Sequence, residues 1–235
     1  CSMEGAMIAV NSALTQMFGG SEGGLLQLPL PYVIEDWPEY AWRGLMVDVA
    51  RHFQPLTLLK RTIDGMALSR LNCLHLHLTD AEAFRLQLAD TKAFPRLSAL
   101  SASNNVGETY SMSELQELVA YAKERGVDIV PEVDVPAHVL VWAKAFPDWV
   151  VQCHKAASLP DRTPAHVYSL DISKPEVGAA VAEIVRQLAS VFPFPYVHLG
   201  GDELHLDCWD ESPSLLQAVK SRYHSTDVQA KKAMY

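Results

Sequence analysis

Four short apolar runs, each followed by ionisable residues and set apart by amphipathic stretches of helix length, leave this chain few folds to choose from. The runs are Leu45–Val49, Cys73–Leu78, Asp128–Val133 and Tyr196–Gly200, and each reads as a strand. After the first, Pro55 opens a helix, where its missing N–H costs nothing. Leu59, Ile63, Met66 and Leu71 give that helix a buried stripe. Ahead of the third strand, Ser113 with Gln116 reads as a capping box, Leu115, Leu118, Val119 and Ala122 as one face, and Gly126 as a C′ glycine. Ahead of the fourth, Ser173 with Glu176 reads as another capping box, followed by Val177, Val181, Ile184, Val185 and Leu188. Ser212 to Tyr223, and the stretch from Asp227 onward, also read as helices.

Alternating strands and helices make right-handed βαβ units on a parallel sheet. The ionisable residues follow the strand ends: Arg51, then Asp80, then Asp134 with His138, then Asp202 with Glu203. A β/α barrel builds its active site at that rim. A doubly wound sheet would also bind there, but no GxGxxG follows a strand, and Gly200-Gly201 is only a pair. The connection of about thirty residues after Asp80 exceeds an ordinary loop, which points to function. Residues 1–18 read as a helix carrying Met7, Ile8, Ala13, Leu14 and Met17, followed by a glycine-rich loop and a proline-interrupted extended stretch.

Composition removes other classes. With 28 acidic and 19 basic residues the net charge is −9, which argues against a nucleic-acid partner. No run approaches the roughly 18 apolar residues of a membrane span, and the start Cys1-Ser-Met-Glu4 shows no signal-peptide pattern. Four cysteines without CxxC spacing support neither a disulfide scaffold nor a zinc finger. There is no GxSxG elbow. Cys73, inside a strand, reads as a buried and inert thiol.

The residues past the strand ends carry the chemistry. In Asp202-Glu203 each carboxylate raises the other's pKa and burial raises it further, so that one can stay protonated as a general acid while the other stays charged. The two preceding glycines let backbone approach a ligand closely. The bland alternative is a solvated acidic turn. His75 and His77 face one side of their strand, either as metal ligands or as hydrogen-bonded residues filling a barrel interior. Asp134 and His138 set a carboxylate and an imidazole four residues apart across a proline turn, as a tuned catalytic pair or as a structural turn. Arg51 can grip hydroxyls or carboxylates of a ligand, or pair structurally with Asp80 or Glu203.

Five segments then resemble one family, the β-N-acetylhexosaminidases of glycoside hydrolase family twenty, in that family's order. They are Trp42–Phe53, Leu71–Asp80, Phe84-Arg-Leu86, Ile129–His138 and Val197–Glu203, the last continuing to Cys208-Trp209. The His-x-Gly-Gly-Asp-Glu segment is highly specific, and the resemblance covers the chain from about residue 4. It implies a TIM-type (β/α)8 barrel that removes terminal β-linked GlcNAc or GalNAc by substrate-assisted catalysis, without a cofactor or metal. By motif position, Glu203 would be the acid and then the base. Asp202 would orient the 2-acetamido group and stabilise the oxazolinium. Arg51 would bind sugar hydroxyls, and Asp80 and His138 would support the acid, with Asp134 beside them.

Cys153 and Cys208 fall where lysosomal members have a disulfide, which implies a lysosomal, vacuolar or secreted setting. Leu76, Ala81 and Ala137 depart from the family's usual tryptophan, acid and glycine. Other readings of the chain are a metal-dependent barrel hydrolase using His75 and His77, and a catalytically weak sugar-binding relative.

At 235 residues the chain approaches the ~250 of a complete barrel, yet only about the first four βα units are visible. Residues 1–36 then read as the end of a preceding domain with its linker, and 37–235 as the N-terminal half of a catalytic barrel. The expected partners are N-acetylhexosamine-containing glycans and the missing barrel half, from the same or another chain. A homodimer stays open, and a half-barrel with open edges is not expected to turn over substrate alone.

Overall fold

A computed structural model describes residues 35–88, 97, 108–154 and 167–234. The helix expected in 1–18, the glycine-rich loop and most of the connection after Asp80 lie outside these residues.

Three of the four expected strands form one parallel sheet. They are β1 (Gly44–Asp48), β2 (Cys73–His77) and β5 (Asp128–Glu132), in the order β1-β2-β5. Helix α1 (Leu56–Leu68) joins β1 to β2, and α2 (Met112–Lys123) leads into β5. Two short strands, β3 (Leu86–Gln87) and β4 (Tyr110–Ser111), pair within the long connection. The register sets Asp48 beside His77 and His77 beside Glu132, so all three share a row. Period-two alternation then separates two faces. Leu74, Leu76 and Leu78 are fully buried against the helices, beside Leu59 and Ile63 of α1 and Leu115 and Leu118 of α2. His75, His77 and Glu132 point the other way. Leu76, at the position of the family's usual tryptophan, therefore packs in the helix-side core, away from the histidine face.

The fourth strand is reduced to one parallel bridge between Glu132 and His198. Its hydrogen bonds run from Val133 N to His198 O at 3.0 Å, from His198 N to Pro131 O at 2.9 Å and from Val135 N to Leu199 O at 3.0 Å. Pro131 explains the curtailment. Its carbonyl faces the fourth segment, so its nitrogen does too, and a proline nitrogen offers no ladder donor.

Beyond β5 the chain departs from a plain strand–helix repeat. Helix α3 (Leu140–Ala145) precedes an antiparallel pair, β6 (Val150–Gln152) with β7 (Tyr168–Leu170). Helices α4 (Pro175–Val191), α5 (Pro213–Tyr223) and α6 (Val228–Met234) follow.

Both expected capping boxes move. Ser111 caps α2: its hydroxyl accepts from Glu114 N at 3.2 Å, and Glu114 Oε2 accepts from Ser111 N at 2.8 Å. The Ser113–Gln116 pair competes for that role and loses, because β4 holds Ser111 extended, as an N-cap must be. At α4 the N-cap is Lys174, without a side-chain cap, and Ser173 donates to Asp171 instead. Pro175 biases residue 174 toward extended backbone, so the cap falls one residue past the expected one. No described helix is long and apolar enough to cross a membrane.

Candidate active site

The turn after each strand places one part of the site. After β1, Asp48 Oδ1 accepts from the backbone N–H groups of Ala50 at 3.0 Å and Arg51 at 2.9 Å. Arg85, 6% exposed, clamps this turn from below. It donates from Nε to Val49 O at 3.1 Å and from Nη2 to Ala50 O at 2.9 Å, with its guanidinium 5.5 Å from the Phe53 ring. Arg51, thus presented, reaches Asp80 at 2.7 Å and Asp48 at 2.8 Å. Of the two structural partners weighed for Arg51, Asp80 is the one it meets.

Asp80 lies at the centre. Its side chain is 1% exposed, and Oδ1 accepts from Ala81 N at 2.6 Å. His77 Nε2 meets Oδ2 at 2.9 Å, and His138 Nδ1 lies 3.2 Å from Oδ1. Burial alone would raise this carboxyl, but His138 and His77 outweigh it and hold it well below the usual carboxylate range. The contact with the Asp80 carboxylate raises His138 to about 9 against its burial. On the far side of the His138 ring, Nε2 lies 3.0 Å from Glu203 and 3.6 Å from Asp202.

The loop carrying Asp202 and Glu203 is bent sharply. Gly200, Gly201 and Glu203 all have positive φ, at 68°, 98° and 54°, and so does His138, at 53°. Non-glycine residues held this way cluster at functional sites. At Gly200 the glycine is required by packing: a Cβ there would lie 1.9 Å from Asp134 Oδ1. The close approach expected between these glycines and a ligand is thus, at Gly200, an approach to Asp134. Gly201 N donates to the same Oδ1 at 3.0 Å, while the buried Oδ2 has no hydrogen-bond partner among the described residues. Burial pushes the Asp134 carboxyl up to about 7; the Gly201 N–H works against this, and the charge of Asp202 adds to it. Asp202 and Glu203 are themselves 55% and 56% exposed, so the burial expected of that pair falls on Asp134 instead.

All six predicted site residues, Arg51, Asp80, Asp134, His138, Asp202 and Glu203, therefore meet at the C-terminal rim of the sheet. Cys153 and Cys208 form a disulfide with Cα atoms 4.7 Å apart, tying the start of the segment after β6 to the turn beyond Glu203. Cys73 is buried and free, and burial raises its thiol to about 11, as expected of an inert cysteine.

Two supporting residues carry little or no mark in the sequence. The signal for Glu132 is a lone carboxylate inside an apolar strand, which is costly unless paired. Arg85 lies within the Phe84-Arg-Leu86 segment, and its role as a clamp leaves no local trace. His75, Glu132 and His198 bring donor atoms close enough for a cation, as do His77, Asp80 and Asp134, and Asp134, His138 and Asp202. The Glu132 oxygens, however, already meet His75, His77 and His198, and the Asp80 oxygens meet Arg51, His77 and His138, so contacts between side chains account for the first two clusters.

Residues 40–235 match glycosyl hydrolase family 20, catalytic domain. The chain belongs to this family. A β-hexosaminidase of Akkermansia muciniphila is 38% identical over 207 residues, covering 84% of this chain and 41% of that one. β-Hexosaminidase subunit A1 of Dictyostelium discoideum is 36% identical over 195 residues, covering 83% and 35%. Among solved structures, the family 20 exo-β-N-acetylglucosaminidase of Vibrio harveyi in complex with N-acetylglucosamine superposes with a TM-score of 0.68 at 29% identity, covering 85% of this chain and 32% of that one. The family 20 chain described here thus has an α/β fold shared with these enzymes, and it spans well under half the length of the relatives it matches.

Proposed function

We propose that the protein is an exo-glycosidase that removes terminal β-linked N-acetylhexosamine with retention, using the substrate's own acetamido oxygen as nucleophile. The observation that carries this reading is the contact of His138 with Glu203 at 3.0 Å and Asp202 at 3.6 Å, backed by Asp80, in a family 20 chain. Glu203 would protonate the leaving oxygen and then deprotonate the attacking water. Asp202 would accept from the acetamido N–H, aim its carbonyl oxygen at the anomeric carbon and stabilise the oxazolinium cation. Such a substrate brings its own nucleophile, so one proton-transfer group and one fixed anion suffice. Arg51, 47% exposed beyond its carboxylate partners, is free enough to reach sugar hydroxyls. Asp80, His138 and Asp134 would orient the two carboxylates. The N-acetylglucosamine bound to the Vibrio relative supports this substrate class.

The same reading assigns residues 37–235 to about the first four βα units of a (β/α)8 barrel, with residues 1–36 ending a preceding region. Support comes from the inner face of the sheet, an open hollow of about 690 Å³ walled by Trp42, Met46, His75, Val130, Tyr196 and His198. Further strands would cover Met46 and Tyr196, which are 56% and 58% exposed, and would enclose Asp202 and Glu203. The disulfide favours an oxidising compartment, lysosomal, vacuolar or secreted.

The test is Glu203→Gln in the barrel-complete protein. Turnover of a chromogenic β-GlcNAc substrate should fall by roughly 10²–10⁴-fold with the thermal melt unchanged. Unchanged turnover would remove Glu203 from this role.

A further inference from the structure

The site described so far ends at Asp80, but the chain of charged contacts does not. Behind Asp80 stands His77, 4% exposed, with Nε2 at 2.9 Å from Asp80 and Nδ1 at 2.9 Å from Glu132. A neutral imidazole has one N–H and can donate from only one of its nitrogens. With a buried carboxylate 2.9 Å from each nitrogen, the doubly protonated ring is the one state that lets both carboxylates stay ionised. We propose that His77 is a positioning residue of the active site, an imidazolium locked between Asp80 and Glu132 that keeps Asp80 ionised and turned toward His138.

The charged groups packed against His77 fit this assignment: the Asp134 carboxyl, from the turn after β5, lies within 4.8 Å of it and adds negative charge when ionised. Asp48, its row partner on β1, adds a third negative charge. On its own strand, His75 shares the Glu132 carboxylate. In the turn beyond, Arg51 balances Asp80 from the solvent side at 2.7 Å. Burial by itself would strip His77 of its proton, yet the bonds to Asp80 and Glu132 raise it to about 10. Burial likewise disfavours the Glu132 charge, and His75 and His77 override that, holding it well below the usual carboxylate range. A carboxylate with fixed cations on one oxygen presents the other in a fixed direction, here Oδ1 toward His138 Nδ1. The role of Glu132 is thus indirect: it makes His77 permanently positive, and through Asp80 sets the ring that faces Glu203. The protonation state of His77 stands on its two carboxylate contacts and does not depend on the enzyme's activity, whereas its catalytic consequence rests on the hexosaminidase reading above.

Two measurements on the complete protein separate the two claims. The first is imidazole nitrogen NMR through a pH titration. His77 should report both nitrogens protonated at pH 8, where an unperturbed histidine (pKa ≈ 6.5) is neutral. In Glu132→Gln the second proton should come off near neutral pH. A singly protonated His77 at pH 8 in the unsubstituted protein would overturn the proposal, whatever the enzyme's activity. The second is the pH profile of Glu132→Gln on a chromogenic β-GlcNAc substrate. At pH 8 kcat should fall by about ten-fold or more, as for loss of one charge-assisted hydrogen bond, with KM little changed. The loss should shrink toward pH 5, where His77 regains its charge. A loss independent of pH, or confined to the melting temperature, would reduce Glu132 to a structural role and overturn the assignment. A complete protein without hexosaminidase activity would sink the functional reading but leave the NMR result standing.

Discussion

At Gly200 one hydrogen atom decides whether the catalytic loop can form. The residue has φ of 68°, and a Cβ there would lie 1.9 Å from Asp134 Oδ1 and 2.9 Å from Asp134 Cα. Gly200→Ala should therefore cost more than the ~1–3 kcal/mol of backbone strain alone, measured by urea unfolding. Adding Asp134→Ala removes the overlapping oxygen and should recover only part of the loss, because the clash with the backbone of residue 134 and the positive φ remain. The titrating residues predict a pH profile for stability with two limbs. Asp80 and Glu132 are held below the usual carboxylate range, so their contribution is present above pH ~4 and is lost as acid protonates the folded state. His138 and His77 are raised to about 9 and about 10, so their contribution is whole below about pH 6.5 and disappears as pH rises through those values. Asp134, raised to about 7, is protonated in the fold but not in the unfolded chain between about pH 4 and 7, so its contribution is lost across that interval. Thermal melts from pH 4 to 10 should show highest stability toward the acid end, near pH 5, a shallow decline to pH 7 and a marked further fall by pH 10. A flat profile across that alkaline range would contradict the pairing of both histidines.

Among the elements, α2 shows how neighbouring signals compete. Its sequence offers two serine caps two residues apart, and the strand pairing of Ser111 selects the first. Ser111→Ala should destabilise by about 1 kcal/mol, whereas Ser113→Ala should stay within about 0.5 kcal/mol of neutral in the same melts. The reverse order would restore the cap read from the sequence. Between β5 and the fourth segment, Pro131 interrupts the ladder on the side facing His198. Pairing there is a single bridge, although the composition of Tyr196–Gly200 is as strand-like as that of β1. Composition reports whether a run can be a strand; the neighbour's donors decide how much of it is paired.

On the scale of the whole molecule, covalent closure and open surface pull in opposite directions. The Cys153–Cys208 bond closes a loop of sequence separation 55, worth about 4 kcal/mol in the chain-entropy model. Reduction should lower the unfolding free energy by up to that amount and loosen the turn beyond Glu203, read out as faster amide exchange there. Against this, the sheet leaves an inner face with Trp42, Met46 and Tyr196 more than half exposed. Apolar surface of this kind on a sheet bounded by strand edges marks a face built to be covered. The 235-residue chain alone should then show no measurable hydrolysis of a chromogenic β-GlcNAc substrate. Joining it to the remaining strands of the barrel should bring activity, and full activity of the isolated chain would refute the half-barrel assignment.

The amino-acid sequence by itself determined the three strands of the parallel sheet with their helices, the rim on which the ionisable residues gather and the six residues that meet there. These follow from local periodicity and motif spacing, which act over a few residues and are written directly in the chain. Only the tertiary structure decided which carboxylate is buried, which oxygen meets which nitrogen, and that Glu132 and Arg85 belong to the site's support. Burial and hydrogen-bond partners are set by residues tens of positions apart, such as Gly200 against Asp134 or His77 against Glu132, and no local pattern encodes that approach. The exposed Asp202-Glu203 pair and the buried Asp134 are the clearest case: three carboxylates alike in sequence, separated only by how the folded chain surrounds each of them.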